Sequence, residues 1–277
     1  MFRYFVVLAL ALLTLVPDSH AGLRRRRNCP PADCCMPQNA VAPNQPLVGM
    51  PYVPPPNAAP VATLSSPKGR AYQIFTTAEQ PRPTSEVERA EARTDSQQFR
   101  GHVRRVAKTS IAPGNVEILP SVSALVQTLP PDSRMRTLGI SLDESSDRTN
   151  EERRNVQVVA FIHAASSEDD NDFHLIIGDS GMPPTLLTAE ISGLPVVGQA
   201  SYASLKSARD QFKTFMQNHV EMHGRDTFVR FNPPIPVRVT GSLFYDVAHA
   251  PGTVGPMGLR PQTAWEIHPI TQIDFEP

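Results

Sequence analysis

Apolar and polar positions alternate most clearly in residues 156–191, VQVVAFIHAASSEDDNDFHLIIGDSGMPPTLLTAEI. Val156–His163 is β-branched and strand-like, and Ala164–Asn171 carries an acidic run that reads as a turn. Over Asp172–Ile177 the alternation puts Phe173, Leu175 and Ile177 on one face, and Asp172, His174 and Ile176 on the other. Thr185–Ile191 predicts a third strand. The period then changes. In SYASLKSARDQFKTFM, Leu205, Ala208, Phe212, Phe215 and Met216 form one helical stripe, with Ser201 or Ser204 as cap and Gly224 marking the end of the region. VRVTGSLFYD (Val237–Asp246) and TAWEIHPITQIDF (Thr263–Phe275) predict two more strands. Between them lies HAPGTVGPMGLRPQ, a glycine- and proline-rich loop expected to be exposed.

Three strands, a helix and two strands give a mainly β domain over residues 150–277. The order matches a five-stranded OB-like barrel with its helix between strands three and four. An open α+β sheet with the helix on one face is the alternative. Residues 99–149 read as a transitional segment. In it, SVSALVQTLPP (Ser121–Pro131) predicts a short helix capped by Ser121, with Val122, Leu125, Val126 and Leu129 on one side. MRTLGISLD predicts one further strand, and the run Arg100, His102, Arg104, Arg105 and Lys108 reads as a solvated basic face.

Composition alters the picture upstream. Nearly half of the 29 prolines fall between Pro30 and Pro83. Residues 22–98 therefore read as an extended, disordered proline-rich tether, with a marginal polar helix over Thr84–Phe99. Residues 1–21 have the pattern of a signal peptide: Arg3, the apolar run Phe5–Val16, then Ser19-His20-Ala21 before a cut at Gly22. The apolar run is short for a membrane span, so the mature chain is expected to have no transmembrane segment and to be secreted, periplasmic or in the cell envelope. Cys29, Cys34 and Cys35 follow the cut. One pair could close there and leave a thiol for an intermolecular disulfide. The net charge of −1 provides no general field for nucleic acid.

The candidate chemistry is a dispersed set of acids and histidines. Asp172 and His174 share a strand face, Glu190 lies on the next strand, Asp246 and His249 bound the glycine-rich loop, and His268 is in the last strand. Carboxylates and imidazoles from several strands can hold a divalent metal or serve as general acid and base. The same residues can equally make a hydrogen-bonded network that fixes strand and loop ends. Asp169 and Asp170 extend the acidic run, without the spacing or glycine of a calcium loop.

DNDFHLII, mid-strand Glu190, VTGSLFYDVAH and TAWEIHPITQI together resemble a recurring type of secreted bacterial domain. That type carries a D-x-D-x-H-L strand, a later D-x-x-H segment and a W-E-I-H-P strand, and has no assigned activity. A weaker resemblance is to staphylococcal-type nucleases, which are OB-folds with an acidic turn after the first strand. The chain departs from them in IIGDSGMPPTLLTAEI, which lacks the arginine expected near the acidic cluster. The resulting expectation is a non-catalytic binding or structural module. The alternative is a metal-dependent, nuclease-like hydrolase using the acid–histidine set.

Overall fold

Strong alternation produces long strands here, and all eight strands among the described residues join one sheet. The computed structural model describes residues 58–76, 97–217, 219–220 and 227–277. The strands are β1 (Ala62–Ser65), β2 (Ala71–Thr76), β3 (Val116–Leu119), β4 (Asn155–Ser167), β5 (Phe173–Gly178), β6 (Leu186–Ile191), β7 (Val229–Tyr245) and β8 (Trp265–Phe275). The helices are α1 (Arg105–Thr109), α2 (Val122–Val126), α3 (Asp132–Thr137) and α4 (Tyr202–Met216), with a 3-10 turn at Asn150–Glu152. The order across the sheet is β1-β2-β7-β8-β6-β5-β4-β3, with a further β7–β4 pairing.

That extra pairing closes β4, β5, β6, β8 and β7 into a cycle, antiparallel except for β6 beside β8. The class is mainly β, as the alternation implied. The arrangement is not a clean five-stranded barrel, because three strands outside the expected domain extend the sheet. β3 runs parallel to β4, and the β1–β2 hairpin pairs with β7. Residues 62–76 are therefore a hairpin of the sheet, not tether. Leu64, Tyr72 and Ile74 bury on one side of this hairpin, which offsets the ordering cost of a chain with only two prolines nearby. The signal-like residues, the three cysteines, most of the proline-rich segment and most of the helix expected at Thr84–Phe99 lie outside the described residues.

Two other expectations change for local reasons. MRTLGISLD is not a strand: α3 runs through Met135 and stops before Gly139, whose φ of 60° lies in the left-handed region. Asp132 starts that helix and accepts hydrogen bonds from the Ala264 backbone N–H and the Thr263 hydroxyl, tying α3 to the entry of β8. β7 begins eight residues before the expected Val237, on the far side of a proline cluster. Pro233 and Pro234 fall in a gap of the β4–β7 ladder, between Arg230 and Ile235, where no donor is needed.

Phe173, Leu175 and Ile177 enter the main core, together with Leu187, Ala189 and Ile191 of β6 and Trp265 and Ile267 of β8. α4 presents its apolar stripe to the same core. Phe212 lies 4.9 Å from Phe173 between ring centres, and Phe215 stacks on Phe275 at 3.9 Å. With the odd-numbered face of β5 inside, the polar set must lie on the opposite face of the sheet.

Candidate functional site

The residues facing away from the core are not left to solvent. Asp172, His174, Glu190, Glu266 and His268 are all buried, with His268 at 0 % exposure. Three segments cover them. α1 brings Lys108 over the face, and Phe244 of β7 lies against the His268 ring at 5.4 Å. The glycine-rich loop packs Leu259 near Ile176, and Phe228 meets the His174 ring edge-on at 5.6 Å.

Strand register sets the central contacts. His174 and Glu190 are direct ladder partners, and His174 Nδ1 lies 2.9 Å from Glu190 Oε1. The second carboxylate oxygen of Glu190 lies 2.7 Å from His268 Nδ1. His268 Nε2 is 3.4 Å from Asp172 Oδ2, and Glu266 Oε2 is 3.5 Å from His268 Nδ1. The other oxygen of Asp172 accepts a 2.6 Å bond from the Gly193 N–H. A Cβ on Gly193 would come within 2.6 Å of the Phe99 backbone, so glycine permits this close approach.

Burial and charge pull these groups in different directions. Desolvation, with Asp170 and Glu190 nearby, pushes the Asp172 carboxyl well above its ordinary range. Desolvation and Glu190 do the same to Glu266. Burial would also raise Glu190, but His268, Lys108 and the His174 contact outweigh it and hold it well down. Burial lowers the His268 imidazole despite Glu190. The His174 imidazole is raised, since Glu190 overcomes its desolvation. Asp246 and His249 form an ion pair at the edge, with Asp246 buried and His249 exposed.

All six expected site residues therefore lie in one electrostatic neighbourhood. Asp172, Glu190 and His268 are the tightest group, each with a donor atom within 4.8 Å of the others. His174 joins through Glu190, whereas Asp246 and His249 pair mainly with each other. Asp170 flanks the set, with an oxygen 3.9 Å from Lys108 Nζ. Two members were missed in the sequence. Glu266 could have been found, because it shares strand parity with His268. Lys108 could not: it is remote in the chain, and its basic neighbours suggested a solvated face.

That basic run divides sharply. Arg104 is fully buried, and its guanidinium donates 2.7 Å bonds to both oxygens of Glu152. Arg148 is also buried and bonds the carbonyls of Leu243, Ala107, Ser110 and His268. Burial, with Arg104 nearby, pushes Arg148 down to about 10 despite Glu152. The two arginines clamp α1, and hence Lys108, over the acidic face. The solvated-face reading fails for Arg104 and Lys108, while His102 remains exposed.

The clamp has an acid limit. Burial would raise Glu152, but Arg104 and the Tyr245 and Thr149 N–H groups hold it below its ordinary value. Its stabilisation is complete above that ordinary value and is lost as pH falls through the lower folded one. Urea titrations from about pH 6 to about pH 3 should show Glu152→Gln losing less stability than the parent chain. Equal losses would mean that Glu152 does not set this limit.

Among the described residues, two of the surface grooves lie away from the acid–histidine cluster. One, of about 450 Å³, runs between α1 and Leu194–Ser201, and the other, of about 860 Å³, lies beside α4. None of the clustered acids or histidines lines either groove. No helix among the described residues is long and apolar enough to cross a membrane. In comparisons with known proteins, the chain matches no family model, no curated protein and no solved structure.

Proposed function

We propose that this chain is an exported, non-catalytic binding or structural module of the secreted, periplasmic or cell-envelope compartment, with an OB-like barrel as its folded part. One observation carries the non-catalytic reading: Asp172, His174, Glu190, Asp246 and His268 are each no more than 6 % exposed. A general acid or base must come within reach of the proton that it moves. Here α1 and the glycine-rich loop stand in that space. The OB-like assignment is supported by the strand cycle β4-β5-β6-β8-β7 and by a helix between its third and fourth strands. Export is supported by Phe5–Val16 and Ser19-His20-Ala21, and by the resemblance to the secreted domain type.

The convergence of Asp172, Glu190 and His268 favours a second reading, a metal-dependent nuclease-like hydrolase. A direct assay separates the two. The full chain is incubated with single-stranded and duplex DNA in the presence of Mg²⁺, Mn²⁺ or Zn²⁺. No turnover above the protein-free control is expected. Turnover that disappears in His268→Asn would overturn the non-catalytic reading.

A further inference from the structure

We propose that Asp172, Glu190 and His268 bind one divalent transition-metal ion, of the Zn²⁺ or Mn²⁺ class, in the seam between the barrel face and α1. The proposal rests on the non-catalytic reading in treating the ion as a structural pin. It goes beyond that reading by naming a ligand.

Three observations support it. The first is convergence, since the three residues come from the turn just before β5, from β6 and from β8, yet their donor atoms lie within 4.8 Å of one another. Ligands of one ion with bonds of about 2.0–2.2 Å stand roughly 3 Å apart. Glu190 Oε2 stands 2.7 Å from His268 Nδ1, whereas Asp172 Oδ2 stands 3.4 Å from Nε2, so one ring nitrogen would bind the ion and the other carboxylate would close on it by a small shift.

The second is unmet bonding capacity. His268 Nε2 is buried without a hydrogen bond, and Nδ1 has only the Glu190 oxygen at 2.7 Å beside it. Asp172 Oδ2 and Glu266 Oε2 are also buried without hydrogen-bond partners. Buried polar groups are nearly always satisfied, and a set of orphans around one point signals a missing partner. One imidazole N–H can satisfy only one of these oxygens, whereas one cation can accept a lone pair from a ring nitrogen and from an oxygen of each acid.

The third is charge. Asp172, Glu190 and Glu266 sit together, with Asp170 and Asp246 at the edges. Lys108 is one fixed cation among them, while His174 faces Glu190 and His249 faces Asp246. Carboxylates gathered out of water are stabilised by a cation among them, and a divalent ion would add to the charge that Lys108 supplies.

Donor chemistry selects the ion class. Carboxylate oxygens with one imidazole suit Zn²⁺ or Mn²⁺, whereas Ca²⁺ takes six or more oxygens. Glu190 would be held in place by His174 through its other oxygen, as ligating carboxylates commonly are.

The test uses the full chain with Cys29, Cys34 and Cys35 changed to serine, so that thiol binding is removed. After dialysis against a chelator, it is titrated calorimetrically with ZnCl₂ and, separately, MnCl₂. The expected result is one ion per chain for at least one metal, with a raised thermal midpoint. Asp172→Asn retains the shape and the Gly193 bond. It should melt like the metal-free parent and bind about 100-fold more weakly or worse, as loss of a ligand should cost no less than loss of its supporting partner. Glu190→Gln should weaken binding similarly. No stoichiometric binding of either metal, or binding by both variants as tight as the parent, overturns the site. The DNA assay reads separately: turnover would overturn the non-catalytic reading and leave the site standing, while absent binding would do the reverse.

Discussion

Arg104→Ala should lower the unfolding free energy by about 3–5 kcal/mol, the usual cost of removing one partner from a buried ion pair. The side chain has no exposure, and it holds more than Glu152. It also donates to the Tyr245 and Asp147 carbonyls and lies 4.7 Å from the centre of the Phe244 ring. Alanine leaves the Glu152 carboxylate buried and without its counter-charge. Arg104→Lys retains a charge but not the planar fork that meets both carboxylate oxygens, so it should recover only part of the loss. Replacing the pair by Arg104→Met with Glu152→Leu should not restore full stability either, because Glu152 also accepts from the Thr149 and Tyr245 N–H groups. Chemical denaturation followed by far-UV circular dichroism measures all three. A loss below about 1 kcal/mol for Arg104→Ala would show that α1 is not clamped as described.

The consequence reaches the acidic face. Lys108 follows Arg104 by one helical turn, and the Lys108 N–H bonds the Arg104 carbonyl. A chain that releases Arg104 therefore also releases the cation that faces Glu190, Asp172 and Glu266. Clamp and cluster are thus coupled, although they are separate sets of contacts.

The sequence made the central strands legible because residues 156–191 alternate and Thr263–Phe275 repeats the pattern. It made the facing of Asp172, His174 and His268 legible for the same reason, since parity survives any reasonable error in strand ends. It did not indicate that the outer face would be covered. That depends on Arg104 and Arg148, whose long side chains look like surface residues until their distant acceptors are known. β1 and β2 were hidden by composition: ATLS and AYQIFT are strand-like, but the surrounding prolines dominated the reading. β3 was hidden because VEIL is short and mostly exposed, and finds its place only by pairing with β4. Long-range pairing leaves no periodicity in either partner.

Trp265→Ala should cost about 3–5 kcal/mol, the range for truncating a large buried aromatic residue. Trp265 has no exposure and begins β8, where it meets Tyr245 of β7 edge-on at 5.4 Å. Its indole N–H donates to the Pro130 carbonyl at 2.8 Å, so it fastens the α2–α3 connection to the main core. The side chain therefore contributes both packing and a bond that a smaller aromatic residue cannot make. Trp265→Phe should fill most of the space and leave the Pro130 carbonyl unpaired, for a smaller loss of about 1–3 kcal/mol. Trp265 is the chain's one tryptophan, so tryptophan fluorescence cannot follow these variants and far-UV circular dichroism is the readout. The order parent, phenylalanine variant, alanine variant is the expected ranking of stability. If the two variants lose the same amount, cavity formation is not the main cost. If neither loses more than about 1 kcal/mol, the core does not depend on this ring.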